Sequence, residues 1–191
     1  MLDWYDYGRH YNFMPRKVSK GLLSRLARVR LFLSDVDGIL TDATVFMGGD
    51  HEVKRFCVTD GLGLKLLRES GIKVGWISGR PSSATELRAR ELEIDFLHQS
   101  RNSKVEAAEE FMAKTGCNWS QVCYMGDDIV DLGMLKRVGL AVVVPDAIAE
   151  AKALAHYETK AAGGRGAVRE VAELILKAQG KWAGVIKAYM A

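Results

Sequence analysis

From Leu31 onward, short apolar runs alternate with segments whose apolar residues recur at helical spacing, the pattern of strand–helix–strand units that build a parallel sheet. Strands are expected near Leu31–Ser34, Lys73–Ile77, Asp95–His98, Val122–Met125, Leu140–Val143 and His156–Glu158. Helices are expected near Leu62–Ser70, Ser82–Glu93, Ser103–Thr115, Ile129–Val138, Ala147–Ala153 and Ala167–Gln179. Ser82 or Ser83 ahead of Glu86 reads as a capping box, and Gly71, Gly116 and Gly139 read as helix stops. One stretch breaks the alternation. Thr44–Met47 and Glu52–Val58 are β-rich and flank Gly48-Gly49-Asp50, which predicts a protruding hairpin in place of a crossover helix.

The polar residues that interrupt this pattern fall at the carboxyl ends of the strands, where open α/β sheets bind ligands. Asp35 and Asp37 close the first strand within Asp35-Val36-Asp37-Gly38-Ile39-Leu40-Thr41-Asp42, and Gly126-Asp127-Asp128-Ile129-Val130-Asp131 closes the fourth. Acids so crowded call for a cation, and Mg²⁺ suits an all-oxygen donor set. Ser78 ends the second strand and Lys104 opens a helix. A serine there is commonly a cap and a lysine commonly a solvated residue; the ordered set of all four elements is what carries information. Asp42 reads as a turn residue, and Asp131 either orients Lys104 or caps its own helix.

The order Asp-x-Asp, Ser, Lys, Gly-Asp-Asp-x-x-Asp resembles the haloacid dehalogenase superfamily of aspartyl-phosphate phosphohydrolases. The resemblance implies a Rossmann-like parallel sheet flanked by helices. It also implies that Asp35 is the nucleophile, that Asp37 is the acid and base, and that Ser78 and Lys104 hold the phosphate. Mg²⁺ would then sit on Asp35, the Asp37 carbonyl and Asp127, with Asp128 and Asp131 behind it. An acid at position 37, where ion-pumping relatives have threonine, favours rapid hydrolysis. The two intervals where such folds insert a cap domain hold only the hairpin and one helix, and one helix with its loop, so the chain resembles the capless branch.

Within that branch, Phe56-Cys57-Val58-Thr59-Asp60-Gly61, Ile77-Ser78-Gly79-Arg80 and Ala162-Gly163-Gly164-Arg165-Gly166-Ala167 look like the family of phosphatases acting on 3-deoxy-D-manno-octulosonate 8-phosphate, a precursor in lipopolysaccharide biosynthesis. The likeness covers about residues 31–179. It implies substrate contacts from Asp37, Cys57, Val58, Thr59, Asp60, Gly61, Ser78, Gly79, Arg80, Arg88, Lys104 and Arg165, and a homotetramer in which a neighbouring chain completes the site. The family often has asparagine where this chain has Cys57. A nonulosonate 9-phosphate phosphatase is the nearest rival, and a non-catalytic oligomerisation module related to sialic-acid-activating enzymes is a second.

Composition narrows the setting. The 191 residues suit one α/β domain, read as residues 31–180 with hairpin 44–58, preceded by an extension over 1–30 and followed by a tail over 181–191. A net charge of +3 gives no reason to expect nucleic acid or membrane as a partner. Cys57, Cys117 and Cys123 form no C-x-x-C pair and cannot all be paired within the chain, which fits a cytoplasmic, reducing setting. The extension is aromatic (Trp4, Tyr5, Tyr7, Tyr11, Phe13) and then basic (Arg16, Lys17, Lys20, Arg25, Arg28, Arg30). It lacks the apolar core of a secretory signal, and Leu22, Leu23, Leu26 and Val29 predict a short packed helix. In the tail, Trp182, Val185, Ile186 and Tyr189 share one helical face.

Overall fold

A computed structural model describes residues 18–49 and 51–190. The expected features of residues 1–17, and Asp50 of the hairpin turn, lie outside the described residues. The chain runs α1 (Lys20–Ala27), β1 (Leu31–Ser34), a hairpin of β2 (Phe46–Gly48) and β3 (His51–Val53), α2 (Val58–Glu69), β4 (Lys73–Ser78), α3 (Ser83–Glu91), β5 (Phe96–Gln99), α4 (Lys104–Thr115), β6 (Val122–Met125), α5 (Leu132–Leu135), β7 (Leu140–Val143), α6 (Ala149–Leu154), β8 (Tyr157–Glu158), α7 (Ala167–Ala178) and α8 (Trp182–Met190). Six strands form one sheet in the order β5-β4-β1-β6-β7-β8, and every pairing in it is parallel.

The strands are continuous apolar runs because helices cover both faces of the sheet. All four residues of β1, β6 and β7 are buried. From β1 the connections run outward to β4 and β5 and then return to β6, so right-handed crossovers put α2 and α4 on opposite faces and open a crevice at the carboxyl end of β1. The register that sets Ser34 level with both Trp76 and Met125 brings Asp35 to that edge between its neighbours. On one face α7 buries Val168, Val171, Leu174, Ile175 and Leu176. It lies against α2 closely enough that a Cβ on Gly63 would sit 3.0 Å from the Arg169 Cα.

Three segments differ from the sequence reading. The helix expected from Leu62 begins at Val58, because the buried Asp60 carboxylate in its first turn accepts from the Gly166 and Arg169 amides and so anchors a turn of poor helix formers. The helix expected over Ile129–Val138 is a 3-10 turn (Ile129–Asp131) followed by the short α5, because Asp131 is turned inward at the join. The hairpin ladder is shorter than expected and ends at Val53; beyond it Phe56 returns to stack on buried Trp76, with ring centroids 6.3 Å apart. The α1 helix forms, with Leu26 and Val29 buried and an Arg25 guanidinium N–H donating to the Gly139 carbonyl at 2.5 Å. The tail folds into α8, whose Trp182 packs beneath the Arg169 and Lys177 cations. No helix among the described residues is long and apolar enough to cross a membrane.

The close α2–α7 approach sets a test of the packing. Gly63→Val should destabilise the protein by about 1–3 kcal/mol through overpacking, read as a lowered Tm. Gly184→Ala, where an added Cβ meets nothing within 4 Å, should be neutral or stabilising.

Candidate active site

Asp35 continues β1, its amide bonded to the Met125 carbonyl at 2.9 Å, so sheet pairing itself aims the side chain into the crevice. Its Oδ1 accepts from the Val36 amide at 2.7 Å and lies 3.1 Å from the Lys104 ammonium, while the residue is only 7 % exposed. Lys104 opens α4 after the Ser103 cap, and its Nζ also donates to Asp131 Oδ1 at 2.8 Å. Asp131 is fully buried: Oδ1 takes a second donor, the Tyr124 hydroxyl at 2.5 Å, and Oδ2 accepts from the Asp127 and Asp128 amides at 3.0 and 3.2 Å. Both readings of Asp131 hold: it orients Lys104, and by accepting from the Asp128 amide it caps the turn that opens its own helical segment.

Carboxylate oxygens of Asp35, Asp127 and Asp131 lie within 4.8 Å of one another. Burial lifts the Asp35 carboxyl to about 6 against the pull of Lys104, and burial together with Asp35, Asp131 and Asp128 lifts Asp127 to about 7. Lys104 is held above its ordinary value, since attraction from Asp35 and Asp131 outweighs its burial. One ammonium does not balance this much negative charge. Asp131 has both oxygens committed, whereas Asp127 Oδ1 is buried without a partner, so Asp35 and Asp127 are the carboxylates free to take a divalent cation. Gly38, at φ +100°, keeps that space open: a Cβ there would lie 2.1 Å from Asp127 Oδ2.

Asp37 stands one step further along the turn, its carboxylate held by Lys54, whose Nζ is 2.8 Å from Oδ1 and 2.9 Å from Oδ2. Ser78 is buried at the end of β4, and its hydroxyl donates to the Arg80 carbonyl and accepts from the Arg80 amide. Thus Asp35, Asp37, Ser78, Lys104, Asp127, Asp128 and Asp131 all belong to the carboxyl edge. Asp42 is a turn residue, accepting from the Thr44 amide and paired with Arg55.

The residues expected to hold the rest of a substrate divide. Arg80 is half-exposed and paired with Glu52, and Arg165 is exposed on the loop whose Gly163 and Gly164 press on the Gly38–Thr41 turn of the same chain. Cys57, Val58 and Thr59 form the start of α2 and keep some exposure, with the Cys57 Sγ 3.1 Å from the Thr59 hydroxyl. Asp60 does not face the crevice: it is 1 % exposed and its carboxylate is occupied by α7 amides, which makes it a latch between helices. Arg88 lies over Gly61 with its Nη1 on Glu91 at 2.8 Å, leaving only its Nε buried and without a partner.

Lys54, Glu52, Thr85 and Tyr124 were not found from sequence. Glu52 lies on β3 and Lys54 directly after its end, two apart along the chain, so they turn to the same side. That signal points inward only once the interior beneath the hairpin is known to be polar.

A crevice at a switch point, lined by carboxylates at strand ends and by the buried lysines Lys104 and Lys54, defines a hydrolase of the haloacid dehalogenase type. Residues 94–171 match the family model described as haloacid dehalogenase-like hydrolase. The 3-deoxy-D-manno-octulosonate 8-phosphate phosphatase of Yersinia pestis is 43% identical over 168 residues, 87% of this chain and 90% of its own length. That of Escherichia coli K12 is 40% identical over 165 residues, covering 86% and 88%. The crystal structure of the Moraxella catarrhalis phosphatase of that name, in complex with magnesium, phosphate and KDO, matches with a TM-score of 0.85 at 39% identity over 87% of this chain and 97% of that one. The chain belongs to the 3-deoxy-D-manno-octulosonate 8-phosphate phosphatase family of haloacid dehalogenase-like hydrolases.

Both raised carboxyls bind a proton more tightly folded than unfolded. Their contribution to stability is therefore complete below about pH 4 and is lost as the pH rises through about 6 for Asp35 and about 7 for Asp127. In EDTA the Tm should fall between pH 5 and pH 8, and saturating Mg²⁺ should remove most of that fall. An EDTA curve flat across this window would contradict the charge crowding.

Proposed function

We propose that the chain is a Mg²⁺-dependent phosphomonoesterase that converts 3-deoxy-D-manno-octulosonate 8-phosphate to the free sugar acid and phosphate through an aspartyl-phosphate on Asp35. The observation that carries this reading is the buried Asp35–Lys104–Asp131 chain beside Asp127, with Asp37 above it, in a chain so similar to phosphatases of that name. Mg²⁺, held by Asp35, Asp127 and the Asp37 carbonyl, would offset the repulsion between the nucleophile and a phosphate dianion.

The chain's own groups supply the rest. Val36 and Lys104 fix Asp35 Oδ1, leaving Oδ2 to form the bond to phosphorus. As the bond from phosphorus to the sugar oxygen breaks, the Asp37 carboxyl gives that oxygen a proton. In the second half Asp37 takes a proton from water, which attacks phosphorus and releases the Asp35 carboxylate. Lys104, Ser78 and the Gly79 amide receive the equatorial phosphate oxygens. Arg80 and Arg165 at the rim provide guanidinium forks for the sugar's carboxylate, with Thr59 near the ring and Arg88 behind Gly61. The pathway served is lipopolysaccharide biosynthesis. The three free cysteines agree with a cytoplasmic location.

Asp35→Asn should reduce phosphate release from the eight-carbon substrate to no more than a few per cent of wild type, since an amide forms no acyl-phosphate. The same assay with a nonulosonate 9-phosphate separates the nearest rival. Greater retained activity, or full activity after exhaustive EDTA treatment, would overturn the mechanism.

The same reading makes the protein a homotetramer assembled through its hairpins. Phe46, Met47 and Val53 at 60, 73 and 60 % exposure are an apolar surface that supports it. Phe46→Asp with Val53→Asp should dissociate the assembly in light scattering and lower activity at once. A fully active wild-type monomer at assay concentration would end the tetramer reading.

A further inference from the structure

The Lys54 side chain is fully enclosed, yet it carries a charge that is costly to desolvate. Its Nζ donates to Asp37 Oδ2 at 2.9 Å, stands 2.8 Å from Oδ1, which itself accepts no hydrogen bond among the described residues, and donates to the Thr85 hydroxyl at 3.2 Å; Thr85 is completely buried in α3. A buried ion pair is a poor device for stability, because an apolar side chain of the same length fills the space without the desolvation penalty. Lys54 is also the only side chain recorded on the Asp37 carboxylate among the described residues. Two residues earlier and turned to the same side, Glu52 pairs with Arg80 and accepts from Ser82. The return arm of the hairpin is thus fastened to the catalytic edge at two points.

We propose that Lys54, braced by Thr85, is a positioning residue that sets the direction of the Asp37 carboxyl for both proton transfers. This rests on the phosphatase reading above. Asp37 sits on a turn and has no other side-chain tether among the described residues, so without Lys54 it rotates among side-chain rotamers, and few of these point an oxygen at the leaving group or the attacking water. Substrate binding does not need that direction. The role therefore shows in turnover and depends on how much the leaving group needs a proton.

The full-length wild type, Lys54→Met, Lys54→Arg and Thr85→Val are compared on 3-deoxy-D-manno-octulosonate 8-phosphate and on p-nitrophenyl phosphate, whose leaving group departs unprotonated. Lys54→Met should lower kcat on the sugar phosphate by about 100-fold with KM changed less than about threefold. On p-nitrophenyl phosphate it should give a rapid burst of p-nitrophenol and then slow turnover, as the aspartyl-phosphate waits for activated water. Lys54→Arg should recover part of the loss, and Thr85→Val should show the same signature more weakly, whether or not Lys54→Met folds well. Equal losses on both substrates without a burst would overturn the proposal, as would kcat within about threefold of wild type. Wild-type release that does not depend on Asp35 would remove the aspartyl-phosphate mechanism, and the proposal with it.

Discussion

Negative charge concentrated around the buried Lys104 ammonium is the constraint on which the rest of the site depends. Asp35, Asp127 and Asp131 bring carboxylate oxygens within 4.8 Å of one another at the mouth of the central strand, where water is largely excluded. The fold contains the repulsion by giving each acid a different surrounding. Asp131 is saturated with four donors and acts as a fixed charge; Asp35 shares Lys104 and one amide; Asp127 keeps an oxygen with no partner. That gradient from satisfied to unsatisfied separates a fixed charge from carboxylates with open oxygens, and it leaves Asp35 and Asp127 as the pair with room for a cation.

Backbone spacing is as much a part of the site as the acids. Gly38 lets Asp127 come close, Gly163 and Gly164 let the loop before α7 press on the turn after Asp37, and Gly126 leaves room for Asp131, since a Cβ there would lie 2.6 Å from its side chain. Asp60 then ties the start of α2 to the start of α7, so the loop bearing Arg165 is fixed from both sides.

Much of this was legible in the chain because strand ends are easy to find. Three apolar runs, at β1, β6 and β7, match the observed strands residue for residue, and the acids immediately after them had to fall at one edge of a parallel sheet. What could not be read depends on contacts between distant segments. Asp60 looked like a loop residue at the substrate because nothing local shows that the α7 amides, more than a hundred residues later, will occupy it. Lys54 looked like one more charged strand residue, because its partner Asp37 is seventeen positions away and its brace Thr85 thirty-one. Asp131 lay on a pattern that fitted a helix, and only the Lys104 and Tyr124 contacts explain why the first turn tightens there.

The hairpin joins these two kinds of information. Along β3 the faces alternate: Glu52 reaches inward to Arg80 and Ser82, while Val53 and its cross-strand partner Phe46 stay outside and apolar. Lys54, just past the ladder, turns inward again to Asp37. An arm whose inner contacts are charged and whose outer face is bare has little to gain by folding further onto its own domain. The contact that holds the Asp37 carboxylate therefore lies one residue along the chain from an exposed apolar surface, so the two sides of one short arm carry opposite chemistry.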